Sequence, residues 1–145
     1  VCQLSVGGVM LVSFRSCLVG FWVGRSVAGR MVIPTALAMA GDHVIGTLGL
    51  HRIEVNIRPE NAASLAVVHK LGFREEGLRP HFLHIAGAWR DHVSFALTTE
   101  DLAGETLMDA LVRHPAHASR QSSQQSLARH TEGGPGSGGG AHLPF

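Results

Sequence analysis

The sequence is poor in cysteine, and its two cysteines, Cys2 and Cys17, do not form a C-x-x-C pair. Two separated cysteines are too few for a disulfide framework, which excludes a small secreted domain held together by disulfides. The cysteine content instead favours a reducing compartment, and we expect a cytoplasmic location.

An excess of charge of one sign is also lacking, since 12 Lys and Arg stand against 11 Asp and Glu for a formal net charge of +1. Without a broad basic field, a nucleic-acid partner is not expected. Long hydrophobic runs are absent as well, because Gln3, Ser5 and Arg15 interrupt the apolar first residues and no basic segment precedes them. We therefore expect no membrane segment and no signal peptide.

The remaining composition is that of one globular domain of 145 residues, with 45% hydrophobic and 16% charged residues. From His114 onward the chain is rich in Ser, Gln, Gly and His, and such a segment buries too little apolar surface to offset its ordering entropy. We predict a folded domain over residues 1–100, a short helix within 101–113, and a disordered low-complexity tail over 114–145.

The clearest pattern in the chain is a strand followed by a helix. His51 to Ile57 alternates polar and apolar residues, which predicts a half-buried strand. Pro59 then interrupts the backbone pattern, and Asn61 is a typical helix cap. Apolar residues recur at helical spacing after it until Gly72 ends the helix.

The rest of the domain is predicted to be mainly strands. Residues 3–12 and 17–23 form an expected hairpin, with Gly7-Gly8 marking a bulge. A helical stretch follows over residues 31–48. Residues 73–85 and 89–97 form a second hairpin around Ala86-Gly87-Ala88, and Leu102 to Val112 is expected to be one helix.

A candidate anion site lies between the second strand and the first helix, at Ser26 to Met31. Backbone N–H groups and the positive end of a helix dipole can hold a phosphate at such a position. A glycine-containing helix start without a ligand is the alternative interpretation of the same segment.

Two segments, Asn56-Ile57-Arg58-Pro59-Glu60-Asn61-Ala62-Ala63-Ser64 and Lys70-Leu71-Gly72-Phe73, resemble the Gcn5-related N-acetyltransferase (GNAT) family. The closest likeness is to its ribosomal-protein-alanine acetyltransferase (RimJ/RimL-like) branch, in which an N-x-x-S helix ends in K-L-G-F. The resemblance runs from about Gln3 to about Thr99. It implies an α/β fold whose mixed sheet is the C-terminal part of the acyl-CoA N-acyltransferase fold, with the front strands and helices missing and the chain truncated at its N-terminus.

The resemblance also implies that acetyl-CoA is the co-substrate and that an amine is the acceptor. Its cofactor-binding residues would be Val23, Ser26, Val27, Ala28, Gly29, Arg30, Met31, Asn61 and Ser64. Ser26 and Met31 depart from the family's loop pattern, and a side chain at Met31 is expected to crowd the approach of a phosphate.

Two residues are expected to carry catalysis. By resemblance, Ser64 lies near the cofactor thiol and donates a proton to it, in place of the tyrosine that is commoner in the family, since this chain contains no tyrosine. Glu54 is the candidate general base by position on its strand, with an ordinary surface glutamate as the alternative. Asp91 is expected either to fix the second hairpin or to contact a peptide amine.

Ten histidines raise the question of a metal site, and His81, His84 and His92 are the grouped candidates. In a strand His81 and His84 point to opposite faces, so no metal site is expected.

Two classes of function follow. One is an N-acetyltransferase that acts on a small-molecule amine or on a protein N-terminus, such as the N-terminal alanine or serine of a ribosomal protein. The other is a non-catalytic fragment of the same fold that binds coenzyme A weakly, or binds a protein partner through its exposed sheet edge.

Overall fold

The computed structural model describes residues 2–26 and 28–113, so the predicted disordered tail at 114–145 lies outside the described residues, as does Val27. The described chain contains one five-stranded mixed sheet with the strand order β1-β2-β3-β5-β4. Its elements are β1 (Cys2–Met10), β2 (Ser16–Val23), α1 (Val32–Asp42), a π-helical turn (His43–Thr47), β3 (Arg52–Ile57), α2 (Ala62–Lys70), β4 (Arg74–Ile85), β5 (Ala88–Thr98), α3 (Thr99–Leu102) and α4 (Leu107–Arg113). This order confirms the predicted α/β class.

The first hairpin forms as expected, with β1 and β2 antiparallel from the Cys2–Val23 pair to the Gly7–Leu18 pair. The register then shifts before Met10. Gly8 has φ +56°, which is a conformation that glycine adopts without a steric penalty, and this explains the predicted bulge.

Helices α1 and α2 pack on the same face of the sheet, which we call the helix face. Ile53, Val55 and Ile57 point to this face, as the alternating pattern predicts. A Cβ added to Gly41 of α1 would lie 3.2 Å from Ile53, and the His69 ring of α2 lies edge-on to Phe95 with centroids 5.4 Å apart. The core therefore lies between these helices and strands β2, β3 and β5.

The opposite face of the sheet, which we call the outer face, has no helix packed on it in the described residues. The alternation along β3 and β5 places polar side chains on this face, namely Arg52, Glu54, Asn56, His92 and Ser94. Two of them, His92 and Ser94, are nevertheless buried.

The segment after β5 differs from the single helix predicted over residues 102–112. It forms two short helices because Ala103 and Gly104 both take positive φ after α3. The carboxylate of Asp42 then accepts hydrogen bonds from the N–H groups of Leu107 (2.6 Å) and Met108 (3.1 Å), which fixes α4 against the end of α1. No helix in the described part of the chain is long and apolar enough to cross a membrane.

Candidate active site

A wedge between two parallel strands is the main irregularity of the sheet. Strands β2 and β3 pair only from Ser16–Arg52 to Leu18–Glu54. Both strands continue beyond these pairs, yet residues 19–23 and 55–57 form no further main-chain pairs with each other within the described chain. The facing edges of the two strands therefore leave main-chain donors and acceptors available to a ligand that carries amide groups.

The loop from Gly24 to Met31 leads from this wedge to α1. Val23 is partly buried against the core at the end of β2, and the Ala28 N–H donates to the Gly24 carbonyl at 3.1 Å. Gly29 has φ +78°, so it is one of the positions where a side chain would strain the backbone. Of the predicted cofactor loop, only Val27 lies outside the described residues.

The start of α1 is not capped by a side chain. Met31 is its N-cap and makes no side-chain hydrogen bond there, while Pro34 in the first turn has no N–H to satisfy. The predicted loop residues Ser26, Ala28, Gly29 and Arg30 are all exposed next to this end. The geometry therefore leaves the first amide groups of α1 open to an anion.

Met31 itself adopts an ordinary backbone conformation, with φ −70°, so the backbone does not require glycine at this position. Its sulfur lies 3.1 Å from the Lys70 ammonium of α2. Lys70, Arg25 and Arg30 have no ion-pair partner among the described residues. Lys70 carries no signal in the sequence beyond its place in K-L-G-F, because 39 residues separate it from Met31.

Asn61 and Ser64 begin α2. The Asn61 side chain accepts a hydrogen bond from the Ser64 N–H at 3.2 Å, so the predicted cap is confirmed. Ser64 is only 2% exposed, and its hydroxyl has no hydrogen-bond partner in the described residues. A buried hydroxyl without a partner is costly, and it fits a site that a polar atom of a ligand completes.

Glu54, the candidate base, lies on the outer face in a network of ion pairs. One carboxylate oxygen is 2.8 Å from Arg79, and the other is 3.2 Å from Arg52. Arg52 also binds Glu76, and this hydrogen bond lowers the pKa of Glu76 to about 2. The structure thus places Glu54 between two guanidinium groups, where its oxygens are already engaged.

Asp91 and the grouped histidines lie in the second hairpin. Asp91 accepts a hydrogen bond from the His81 N–H at 2.8 Å, where His81 has φ +49° and the β4–β5 register shifts. Asp91 therefore stabilises an irregularity of the hairpin, which agrees with the predicted role of fixing the second hairpin. No group of three potential metal ligands occurs among the residues described.

Comparison with known proteins identifies relatives of this chain. The family profile described as "Acetyltransferase (GNAT) domain" matches residues 3–74. A curated relative from Escherichia coli (strain K12), the "[Ribosomal protein uS5]-alanine N-acetyltransferase", is 39% identical over 89 residues, which are 61% of this chain and 46% of the relative. This chain spans about half the length of the curated relatives that it matches.

Two solved structures share the fold. "Mycobacterium smegmatis RimJ in complex with CoA-disulfide" superposes with a TM-score of 0.73 at 44% identity, over 78% of this chain and 54% of that one. The ribosomal-protein-S5-alanine acetyltransferase from Vibrio fischeri gives a TM-score of 0.65 at 28% identity, over 69% and 55% of the two chains. The sequence match and the shared fold agree with the resemblance in the N-x-x-S and K-L-G-F segments, and this chain belongs to the GNAT acetyltransferase family.

Proposed function

We propose that the protein acts as an acetyl-CoA-dependent N-acetyltransferase. The observation that carries this proposal is the buried hydroxyl of Ser64, which has no hydrogen-bond partner among the described residues. It lies at the start of α2, in a chain whose β2 and β3 separate into a wedge. A related structure holds CoA-disulfide, which supports a coenzyme A site in this fold.

In this proposal, different segments of the chain bind different parts of acetyl-CoA. Gly29 and the uncapped start of α1, with Arg25, Arg30 and Lys70 nearby, would hold its phosphates. The unpaired main-chain groups of β2 would bind its amides within the wedge. When bound, acetyl-CoA supplies the acyl group as a thioester, and Ser64 would donate a proton to the departing sulfur.

The acceptor we propose is the N-terminal amine of a protein that begins with alanine or serine. Two relatives named as alanine acetyltransferases of a ribosomal protein support this choice over a small-molecule amine. A helix-free outer face in the described chain leaves room for a polypeptide end to approach the sheet. We place the reaction in the cytoplasm, in agreement with two free cysteines.

A transfer assay tests this function. The chain is incubated with acetyl-CoA and a peptide that begins with alanine, and mass spectrometry follows acetylation of its N-terminal amine. We expect acetylation of the free peptide, none of the same peptide with a blocked amine, and at least a tenfold lower rate for Ser64→Ala. Ser13→Ala in the exposed turn before β2 is the control, with an unchanged rate. Equal rates with and without the chain would defeat the proposal.

A second candidate function is the binding of a protein partner at the sheet edge. Strand β1 is an edge strand, and the exposed apolar side chains in and after it favour this function, namely Val6, Val9, Met10, Leu11, Val12 and Phe14. An edge of this kind is a template for another strand. If this function is the correct one, the chain binds a protein partner, and Ser64→Ala does not change the rate of acetyl transfer.

A further inference from the structure

His92 occupies an unusual position for a histidine in this chain. It lies on β5 and on the outer face, but only 3% of its surface is exposed. The Val93–Ile57 pair puts His92 beside the end of β3, past the point at which β2 and β3 stop pairing. The imidazole therefore lies on the acceptor side of the sheet, next to the strand that borders the wedge.

The orientation of the ring is fixed by two contacts. Its Nδ1 is 3.0 Å from the Arg90 carbonyl oxygen, and the Phe82 ring lies edge-on with centroids 5.9 Å apart. Because a carbonyl oxygen only accepts, Nδ1 carries the proton in the neutral ring. The lone pair of Nε2 is then free to accept a proton, and it makes no hydrogen bond in the described residues.

Most charged groups on the elements that neighbour His92 are in ion pairs, whereas Arg90 has no ion-pair partner among the described residues. Arg79 is its partner on β4, and it forms a 2.8 Å ion pair with Glu54 of β3. Arg58, the residue after β3, binds Glu60 at 2.7 Å. On its own strand the flanking residues are Arg90 and Asp91, and Asp91 is engaged with the His81 N–H. Among the described titratable groups of this face, Glu54 and Glu76 are engaged by guanidinium groups, whereas Nε2 of His92 makes no hydrogen bond.

Glu54 differs from His92 in this respect. Its carboxylate accepts from Arg79, Arg52 and, at 3.4 Å, the Asn56 amide. A base must have an acceptor atom that the amine proton can reach, and these cations already occupy the carboxylate of Glu54. Glu54, the base predicted from the sequence, therefore competes with His92. The sequence suggests His92 only as a candidate metal ligand.

We infer that His92 is the general base of the acetyl transfer, an inference that rests on the proposed function. The amine loses one proton to Nε2, a nitrogen–carbon bond to the acetyl carbon forms, and the carbon–sulfur bond breaks. The thiolate takes its proton from Ser64, the imidazolium releases its proton to solvent, and the serine alkoxide regains a proton from solvent, so both groups return to their starting state. Ser64 lies at the start of α2 and His92 lies on β5, so the acid and the base belong to different elements of the fold.

The test compares thiol release from acetyl-CoA, in the presence of a peptide that begins with alanine, for the wild-type chain and four variants. His92→Gln should lower kcat/KM by at least 100-fold. It should also remove the decline of kcat/KM at low pH, because a general base must be unprotonated to accept the amine proton. Binding of acetyl-CoA by calorimetry should stay within twofold. Free imidazole should partly restore the rate of His92→Ala, because the deleted side chain leaves a buried space.

Two matched variants separate this role from a structural one. His84→Gln changes an exposed histidine of the same hairpin and should leave the rate unchanged. Glu54→Gln tests the competing base, and we expect it to retain the low-pH decline. The inference is overturned if His92→Gln keeps its rate, if Glu54→Gln alone removes the pH dependence, or if the wild-type chain binds acetyl-CoA without releasing thiol. Failure to bind acetyl-CoA would defeat the proposed function itself.

Discussion

The two edges of the sheet are built differently. Edge strand β4 carries Arg74, Glu75, Glu76 and Arg79, contains Pro80, and shifts its register twice against β5. Edge strand β1 shifts its register once, but it contains no charged residue and no proline, and its Val9 and Met10 side chains are about half exposed (51% and 48%). Charges, proline and bulges are the usual protection of an edge against further pairing.

This difference indicates that the two edges have different neighbours. The β4 edge is suited to water, whereas the β1 edge is suited to another strand. Burial separates the edges from the inner strands instead, since β3 and β5 contain the fully buried Ile53 and Phe95, while both β1 and β4 are at most partly buried. The best-packed part of the described chain therefore comprises β2, β3 and β5 with α1 and α2, whereas the edge strand β1 contains no buried residue.

The largest expected effect tests the difference in packing. Phe95→Ala removes a ring that is 1% exposed and should lower the free energy of unfolding by about 3–5 kcal/mol. Val9→Ala in β1 should change it by no more than about 0.5 kcal/mol. Urea denaturation of both variants measures the two values. Similar losses at both positions would show that the first hairpin is packed as well as β5.

The second prediction concerns the edges themselves. We expect two copies of the chain to pair through their β1 edges. Val9→Lys adds a charge to this edge and should weaken that pairing at least tenfold, which corresponds to about 1.4 kcal/mol or more. Leu78→Lys, at an exposed position of the protected β4 edge, is the control and should have little effect. Sedimentation velocity over a range of concentrations gives both constants. An equal effect at both edges would remove the distinction between them.

The third prediction uses the ion pairs of the β4 side. Arg52, and then Arg74, hold the pKa of Glu76 at about 2, below its ordinary value of 4.5. A lowered folded-state pKa stabilises the fold above pH 4.5, and this stabilisation is lost as the pH falls towards 2. Because Glu76 is partly exposed, we expect a loss of about 1 kcal/mol.

Chemical denaturation between pH 6 and pH 2 measures this loss. Glu76→Gln should show a smaller decrease in stability over that range than the wild type. Glu75→Gln is the control, since Glu75 has no ion pair among the described residues, and its curve should follow the wild type. A wild-type curve that is reproduced by Glu76→Gln would mean that this ion pair does not stabilise the fold.

The smallest expected effect lies at the contact between Met31, the N-cap of α1, and Lys70, the last residue of α2. Met31→Gly frees the Lys70 ammonium and the first amides of α1 for a phosphate, so we expect acetyl-CoA to bind about two- to fivefold more tightly. Met39→Ala, at an exposed position later in α1, should leave the affinity unchanged. Unchanged binding by Met31→Gly would show that this side chain does not restrict the loop.

Most of the fold could be predicted from local patterns. The alternation of Ile53, Val55 and Ile57, the cap at Asn61 and the glycine at the end of α2 each specify a structure within a few residues. The break between α3 and α4 could not be predicted, because it depends on Ala103 in a left-handed conformation and on the distant carboxylate of Asp42.

The candidate site was predictable only where it follows the chain. The loop after β2 and the N-x-x-S helix are local segments, and both lie where the sequence predicts them. The positions of Lys70 and His92 depend on contacts between separate elements, such as the 3.1 Å contact to Met31 and the carbonyl that orients the imidazole. The ion pair between Glu54 and Arg79 likewise could not be predicted, because 25 positions separate the two residues in the sequence.

Calorimetric titration of the full chain with acetyl-CoA tests the central claim most directly. We predict saturable binding at one site per chain, weakened at least threefold in Ser64→Ala and unchanged in Ser13→Ala, because the buried Ser64 hydroxyl is expected to gain a partner from the ligand. A folded chain that shows no heat of binding at millimolar acetyl-CoA would contradict the account.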